Sequence, residues 1–129
     1  MYKFKKIYSI LNYQGGLMLK IDTIYKKGIL FVRLYGAINK NNKEEIEKVL
    51  ESVIEKVGIK YLLLNLENIY YISSDISELI IKWSKKLKEK GGKFFICGYE
   101  NISRSDYLKI NDEVLEMKDE YSAFSKINI

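Results

Sequence analysis

The chain has 129 residues, of which 47% are apolar and 30% are charged, as is typical of one folded domain rather than of a disordered or fibrous protein. Its single cysteine, Cys97, excludes a disulfide framework and favours a reducing cytoplasm. Histidine is absent, which with one cysteine excludes a Cys/His zinc site and a Cys–His nucleophile within the chain. No stretch approaches the roughly 18 consecutive apolar residues of a membrane span. We expect no metal and no cofactor.

The net charge of +5 is spread in a way that argues against nucleic acid as a partner. Residues 1–17 carry three lysines and no acid, and elsewhere lysines alternate with glutamates, as in residues 43–48. Such alternation is typical of a solvated helix face rather than of a phosphate-binding stripe.

The first 17 residues lack firm periodicity and contain no secretory cleavage site, so we treat residues 1–17 as an N-terminal extension and 18–129 as the domain. We hypothesise that the native start is Met18, because Gln14-Gly15-Gly16 is compatible with a purine-rich ribosome-binding sequence. An intact mass that includes residues 1–17 in the natural host would contradict this hypothesis.

The first half of the domain predicts a hairpin and a helix. Two-residue alternation predicts a strand at 20–25, a turn at 26–28, and a second strand at 29–35 that ends at Gly36. A helix follows, with Asn42 and Glu45 at capping-box spacing and Gly58 as its stop. One apolar face of this helix is predicted to contact the core: Ile46, Val49, Leu50, Val53 and Val57.

The second half predicts a βαβ unit. A nearly continuous apolar strand at 60–66 leads through a polar turn, Ser73–Asp75, to an amphipathic helix that includes Ile76 and Trp83, with Trp83 expected in the core. Gly91-Gly92 ends this helix before a strand at 93–97. Because ligands bind at the carboxyl ends of strands in open α/β sheets, the two serines stand at the expected working surface.

The C-terminal part predicts a short helix at 103–109, an edge strand at 114–117 and a final helix from Asp119 to about Ile127. The predicted architecture is therefore α/β, a mixed sheet of four to five strands with helices packed against it.

Three segments of this chain resemble the STAS domain, the fold of bacterial anti-sigma factor antagonists and stressosome proteins. LYGAIN at 34–39 is similar to the family's strand that ends in Gly-Glu-Leu/Ile-Asp. LNLENI at 64–69, followed by Ile72-Ser73-Ser74, is similar to the segment that leads to its Asp-Ser-Ser-Gly or Asp-Thr turn, and 91–98 is similar to its Gly-Gly strand and loop. The resemblance extends from about Lys20 to Phe124.

The resemblance implies a non-catalytic regulator whose partner is an anti-sigma factor or a serine kinase protein. At the position of Ser74 the family has a serine or threonine that a cognate kinase phosphorylates, and phosphate breaks the complex with the anti-sigma factor. Ser74 is therefore the candidate phosphorylation site. The pattern departs from the family in three places: Ser73 and Asn39 replace acids, and Ile76 replaces a glycine.

We predict a partner interface around this turn, formed by Asn39, Ser73, Ser74, Asp75, Ser77 and Tyr99. A structural role is expected in any case, since either Asp75 with Glu78 or Ser74 with Ser77 has the spacing of a helix N-cap and its N3 residue. A phosphate on Ser74 would then face Asp75 as a like charge. The opposite hypothesis is that Asp75 is a permanent charge that partly imitates the phosphorylated state.

Two other classes of function stay open. STAS-like domains also occur as adaptor subunits of transporters or as ligand-binding modules without phosphorylation, although this chain has no glycine-rich phosphate loop. A small enzyme is disfavoured because the chain lacks histidine and any evident convergent pair of carboxylates.

Overall fold

The structure, a computed structural model, describes residues 8–12, 18–99 and 114–127. Its centre is one mixed sheet in which spatial order follows chain order. β1 and β2 pair antiparallel, as do β2 and β3, whereas β3 to β6 are parallel neighbours. The strands are β1 Tyr8–Asn12, β2 Met18–Lys26, β3 Ile29–Ile38, β4 Tyr61–Ile72, β5 Lys93–Cys97 and β6 Val114–Met117.

The five strands from Met18 onward confirm the predicted α/β sheet. β1 is a sixth strand within the segment that we treated as an extension, and Tyr8 pairs with Asp22 while Asn12 pairs with Met18. Strand β1 therefore extends the sheet at its antiparallel edge. Met18 as the native start stays a prediction.

Two of the predicted strand ends were wrong. β3 continues through Gly36, which has a φ of 110°, to Ile38, and β4 continues beyond its predicted end at Leu66 to Ile72. The added lengths pair with each other, with two register shifts that each place an extra residue on β4. Such irregularities break the two-residue alternation on which sequence-based strand assignment depends. The carboxyl end of β4 consequently lies well beyond that of β5, whose last residue pairs with Asn65.

The first long helix, α1 (Lys43–Glu51), continues as a π-helical turn, Ser52–Val57, and ends at Gly58, as predicted, with a left-handed φ of 83°. Four of its five predicted core residues are at least partly buried against the sheet, but Val57 is 36% exposed because the widened last turn directs it outward. Asn42 stands at the N-cap position without a side-chain capping bond, so the predicted capping box is wrong.

The main core lies between the sheet and the two helices, α1 and α2 (Ile76–Glu89). Trp83, 3% exposed, belongs to it as predicted. A smaller core covers the opposite face, where a six-residue 3₁₀ helix, Tyr121–Lys126, replaces the longer final helix that we predicted. There Ala123, Phe124 and Ile127 pack with sheet residues that include Ile29, Phe31, Leu63 and Phe95. The helix predicted at 103–109 lies outside the described residues.

Candidate functional site

The extended ends of β3 and β4 bring two loops together at the carboxyl edge of the sheet. One loop joins β3 to α1, and the other is the turn Ser73–Asp75 between β4 and α2, which we call the acceptor turn. Ser73 N–H donates to the Ile38 carbonyl at 2.9 Å and so ties the loops together. Between them lies a surface depression of about 440 Å³, lined by Asn39, Lys40, Asn41, Tyr71, Ser73, Ser74 and Asp75.

The first loop is held in shape by its own asparagines. The Asn39 side-chain oxygen accepts from the N–H groups of Asn41 and Asn42, at 2.8 and 3.1 Å. The buried Asn42 amide donates to the Ala37 carbonyl, and its oxygen accepts from Asn39 N–H, each at 2.9 Å. Asn42 therefore fixes the loop rather than capping α1. Asn39, which replaces an acid of the family pattern, is half-buried and acts here as a hydrogen-bond acceptor.

The carboxylate of Asp75 joins the two loops through a cluster that we call the Asp75 cluster: Lys43, Ser73 and Asp75. Lys43 Nζ lies 2.7 Å from one carboxylate oxygen, and Ser73 Oγ donates to the other at 2.8 Å. The hydrogen bonds from Lys43 and Ser73 hold the pKa of Asp75 below its usual range, because they favour the charged carboxylate. The pKa of Lys43 is raised in turn by its bond to Asp75.

This arrangement corrects the helix cap predicted for the acceptor turn. Asp75 stands at the N-cap position of α2, but its side chain makes no capping bond, since its backbone is helical and its carboxylate is directed to Lys43. The charge of Asp75 is therefore balanced by a neighbouring ammonium. That Asp75 partly imitates the phosphorylated state stays a hypothesis.

Ser74 is exposed at the middle of the acceptor turn, with its side chain in the wall of the depression. The residues that follow are directed inward: Ile76 is 1% exposed and belongs to the main core, and Ser77 is 7% exposed. Ile76 thus anchors the first turn of α2 at the position where the family has glycine. Ser77, which we predicted at the partner interface, presents little surface.

Tyr99 does not join the other predicted site residues. It follows β5, and Gly98 packs directly on the backbone of Glu67, six residues before Ser73 on β4. Six residues of extended strand span roughly 20 Å. Tyr99 is half-buried against the main core and its hydroxyl donates to Glu116 at 2.6 Å. Of the six predicted interface residues, four line the depression: Asn39, Ser73, Ser74 and Asp75.

Sequence reasoning missed Lys43 as a site residue. It was treated as part of a solvated helix face, and its partner lies 32 positions away along the chain. The signal that could have found it is its place in the first turn of α1, which follows a strand parallel to the one that leads to Asp75. Lys40 and Tyr71 also line the depression and were not predicted as site residues.

A second depression lies between α1 and α2, but its charges compensate one another. Lys82 pairs with Glu47 at 2.7 Å, and the Trp83 ring N–H donates to the same carboxylate at 3.1 Å. Lys86 pairs with Glu55 at 3.4 Å. These contacts join the two helices across the groove and leave it less suited to an added charged ligand than the loops around Ser74.

A protein-family model for the STAS domain matches residues 20–107. The chain belongs to the STAS domain family. An anti-sigma F factor antagonist of Paenibacillus polymyxa is 24% identical over 79 residues, which are 61% of this chain and 68% of that protein. A Bordetella bronchiseptica protein, BtrV, provisionally named an anti-sigma factor antagonist, is 31% identical over 80 residues, 62% of this chain and 64% of BtrV. This STAS domain therefore spans slightly less than two thirds of BtrV.

Solved structures agree with the STAS fold. The anti-sigma factor antagonist SpoIIAA in its unphosphorylated form superposes with a TM-score of 0.64 at 14% identity, over 93% of this chain and 96% of SpoIIAA. The phosphorylated form of the Bacillus protein gives 0.59 at 12% identity, over 95% and 100%. At these identities the likeness concerns the fold. The fold likeness and the family match therefore agree that the chain is a STAS domain.

In the described parts of the chain, no helix is long and apolar enough to cross a membrane. Among the same residues, no three Cys, Asp or Glu side chains are grouped so that they could hold a metal ion.

Proposed function

We propose that this STAS domain is a non-catalytic cytoplasmic regulator that binds an anti-sigma factor of the serine-kinase type, and that phosphorylation of Ser74 ends the binding. The observation that carries the proposal is the exposed Ser74 at the acceptor turn, within a depression formed by two loops. The curated relatives include an anti-sigma F factor antagonist, and SpoIIAA is known in unphosphorylated and phosphorylated forms. These names support the same partner and the same modification here.

The surface around Ser74 has the properties of a protein contact. Tyr70 and Tyr71, 61% and 48% exposed, lie four and three residues before Ser74, and Tyr71 lines the depression. Tyrosine offers a large contact area together with a polar hydroxyl, and it is enriched where partners bind. The second register shift of β4 lies between Ile69 and Tyr71, and it places both tyrosines toward solvent. The irregular end of β4 therefore presents an aromatic pair next to the acceptor serine.

The Asp75 cluster offers a physical explanation of how phosphate on Ser74 would release the partner. A phosphate on Ser74 carries about −1.5 to −2 charges near pH 7 and three acceptor oxygens. It would compete with Asp75 for Lys43, the ammonium that now balances the turn. Whichever anion Lys43 pairs with, the turn gains more than one negative charge. A partner that docks on the neutral turn would meet repulsion and rearranged hydrogen bonds, without any movement of the core.

The proposal is tested by phosphorylation with the kinase-type partner. The partner is first identified by affinity purification of the tagged chain from its natural host and by mass spectrometry. The purified partner and ATP are then incubated with the wild type and with two serine variants, Ser74→Ala and Ser125→Ala. Ser125 is exposed on the 3₁₀ helix at the opposite face of the sheet, so it serves as the matched control.

We expect a single phosphate on the wild type and on Ser125→Ala, mapped to Ser74, and none on Ser74→Ala. The Ser74→Ala variant should bind the partner as tightly as the unmodified wild type. Phosphate on another residue, or the recovery of transporter subunits instead of a kinase-type protein, would overturn the proposal.

A further inference from the structure

Six lysines gather at the end of the sheet opposite the acceptor turn. The hairpin between β2 and β3 and the starts of β4 and β5 all lie at the amino edge of the parallel strands, since Ile29, Tyr61 and Lys93 are in register. The C-terminal 3₁₀ helix reaches the same edge. We call this set the basic edge, and all six side chains are exposed: Lys26, Lys27, Lys56, Lys60, Lys93 and Lys126.

Direct contacts join the segments that carry these lysines. Lys93 N–H donates to the Lys60 carbonyl at 2.8 Å, and Lys93 Nζ donates to the Lys126 carbonyl at 3.0 Å. Lys27 Nζ lies 5.9 Å from the centre of the Phe124 ring, in the same 3₁₀ helix as Lys126. The basic edge is therefore one continuous surface contributed by four separate segments.

The charge of the basic edge is not compensated within the described part of the chain. None of its six lysines forms an ion pair there, in contrast to Lys43, Lys82, Lys86 and Lys90. The chain has 22 basic and 17 acidic residues. Residues 1–17 hold three further lysines and no acid, so the basic edge accounts for only part of the net charge of +5. The basic edge is thus a local excess of positive charge.

Apolar and aromatic side chains lie between these lysines. A depression at this end is lined by Tyr25, Gly28, Val57, Gly58, Ile59, Lys60 and Tyr61. Tyr25 and Val57, which line this depression, are 38% and 36% exposed. The basic edge therefore combines exposed positive charge with exposed apolar surface.

We propose that the basic edge is a docking surface for an anionic phospholipid membrane. Lysines attract anionic headgroups as point charges, without the planar paired geometry that arginine gives to specific phosphate or base contacts. The chain contains only two arginines, Arg33 and Arg104, and none belongs to the basic edge. Tyrosine and aliphatic side chains between the lysines suit the boundary between headgroups and acyl chains. Charge and apolar surface therefore point to the same occupant.

This docking would leave the acceptor turn accessible. β4 runs the length of the sheet from Tyr61, at the basic edge, to Ile72, next to Ser73. Twelve extended residues correspond to roughly 35 to 40 Å. Attachment at one end would therefore direct the acceptor turn away from the bilayer, toward a partner in solution. The inference does not depend on the function proposed for Ser74.

Sedimentation with vesicles tests the inference. The full chain is mixed with phosphatidylcholine vesicles that contain about one third phosphatidylserine, and separately with pure phosphatidylcholine vesicles. We expect binding to the anionic vesicles only, with loss when ionic strength rises from about 0.1 M to about 1 M, because the screening length falls from about 10 Å to about 3 Å. A labelled single-stranded oligonucleotide serves as the competing anion.

Two variants and a matched control separate this surface from net charge. Lys56→Gln with Lys60→Gln should weaken vesicle binding by roughly 25-fold, at about fivefold for each lysine. Lys27→Gln with Lys93→Gln should act alike and guards against a folding defect in the first pair. Lys48→Gln with Lys85→Gln removes the same charge from the exposed helix surface and should change binding by less than about threefold.

Equal losses in the control and in the basic-edge variants would overturn the inference, as would absence of wild-type binding to anionic vesicles. Tighter binding of the oligonucleotide than of the vesicles, lost in the same variants, would assign the basic edge to nucleic acid instead and would also overturn it.

Discussion

Two carboxylates in this STAS domain bind the same kinds of groups and yet serve different purposes. Asp75 pairs with Lys43 and accepts one hydrogen bond from Ser73. Glu120 accepts two parallel hydrogen bonds from Arg33, each 2.8 Å, and a third from Asn65, also 2.8 Å. We call Arg33, Asn65 and Glu120 the Glu120 cluster. It fastens the C-terminal segment, next to the 3₁₀ helix, to the middle of the sheet.

Geometry and burial distinguish the two clusters. The Asp75 side chain is 39% exposed and Lys43 approaches it as a single point charge, whereas Glu120 is 22% exposed and is held by a planar guanidinium. Burial is the largest influence on the pKa of Glu120 and raises it, but the hydrogen bonds from Arg33 and Asn65 together hold that pKa below its usual range. An ion pair that is largely buried, such as Arg33–Glu120, can therefore fix a segment of the chain to the sheet. In a pair that water reaches, such as Lys43–Asp75, either group can exchange its partner for another charged group.

The largest effect on stability is expected at Ile76, which follows Asp75 in the chain but belongs to the main core. Replacing Ile76 with Gly restores the residue of the family pattern, removes a fully buried side chain and adds backbone freedom to the start of α2. We expect a loss of about 4 kcal/mol in the free energy of unfolding, measured by urea denaturation. Ile76→Val is the control and should lose only about 1 kcal/mol. A loss below about 1 kcal/mol in Ile76→Gly would mean that Ile76 is not an anchor.

The next effect tests the fastening role of Glu120. Glu120→Gln keeps the size of the side chain but removes its charge, and its amide NH2 cannot accept one of the two hydrogen bonds that Arg33 donates. We expect a loss of about 2 kcal/mol in the free energy of unfolding, with partner binding and Ser74 phosphorylation unchanged. Glu116→Gln, on the neighbouring β6, is a control with an exposed carboxylate. If Glu120→Gln were as stable as the wild type, the ion pair of Glu120 would contribute no more to stability than the exposed ion pair of Asp75.

Glu120 should contribute to the pH dependence of stability. A carboxylate whose pKa is lower in the folded state stabilises the fold above its unfolded pKa, and this contribution disappears as the pH falls through the folded pKa. The pKa is lowered for both residues. The stability difference between the wild type and Glu120→Gln should therefore be full at pH 7 and shrink below about pH 4. A difference that grows toward acid, in urea melts across pH, would contradict the assigned direction.

The smallest stability effect is expected at Asp75. Asp75→Asn breaks an ion pair that water reaches, so we expect a loss of about 0.5 kcal/mol. Partner affinity, in contrast, should change by more than the stability does, because the ammonium of Lys43 is then unbalanced beside Ser74. Lys43→Met is the complementary variant, and the double variant measures the coupling between them. If Asp75→Asn were as destabilising as Glu120→Gln, the contrast between the clusters would be wrong.

The sequence was sufficient for the parts of the fold that depend on local pattern. Apolar alternation and runs gave β2, β5 and the starts of β3 and β4, and helical periodicity gave both helices. β1 was missed because its apolar alternation is too weak to predict a strand, and the strand is defined by its pairing with β2. The ends of β3 and β4 were missed because register shifts interrupt the alternation there.

The candidate site was predictable in its position but not in its bonds. Paired serines after a buried strand placed the acceptor turn correctly at the edge of the sheet. The partner of Asp75 lies 32 residues away, and that of Glu120 lies 87 residues away, so no local spacing indicates either pair. The predicted caps at Asn42 and Asp75 were wrong because other groups bind these side chains: Asn42 binds Ala37 and Asn39 within its own loop, whereas Asp75 binds the distant Lys43.

Calorimetric titration tests whether the partner distinguishes the unmodified from the phosphorylated Ser74. The identified anti-sigma partner is titrated with unmodified protein and with protein that is stoichiometrically phosphorylated at Ser74. The account predicts tight binding of the first and at least a tenfold weaker affinity for the second, with the same melting behaviour in both forms. Equal affinity of the two forms would contradict it.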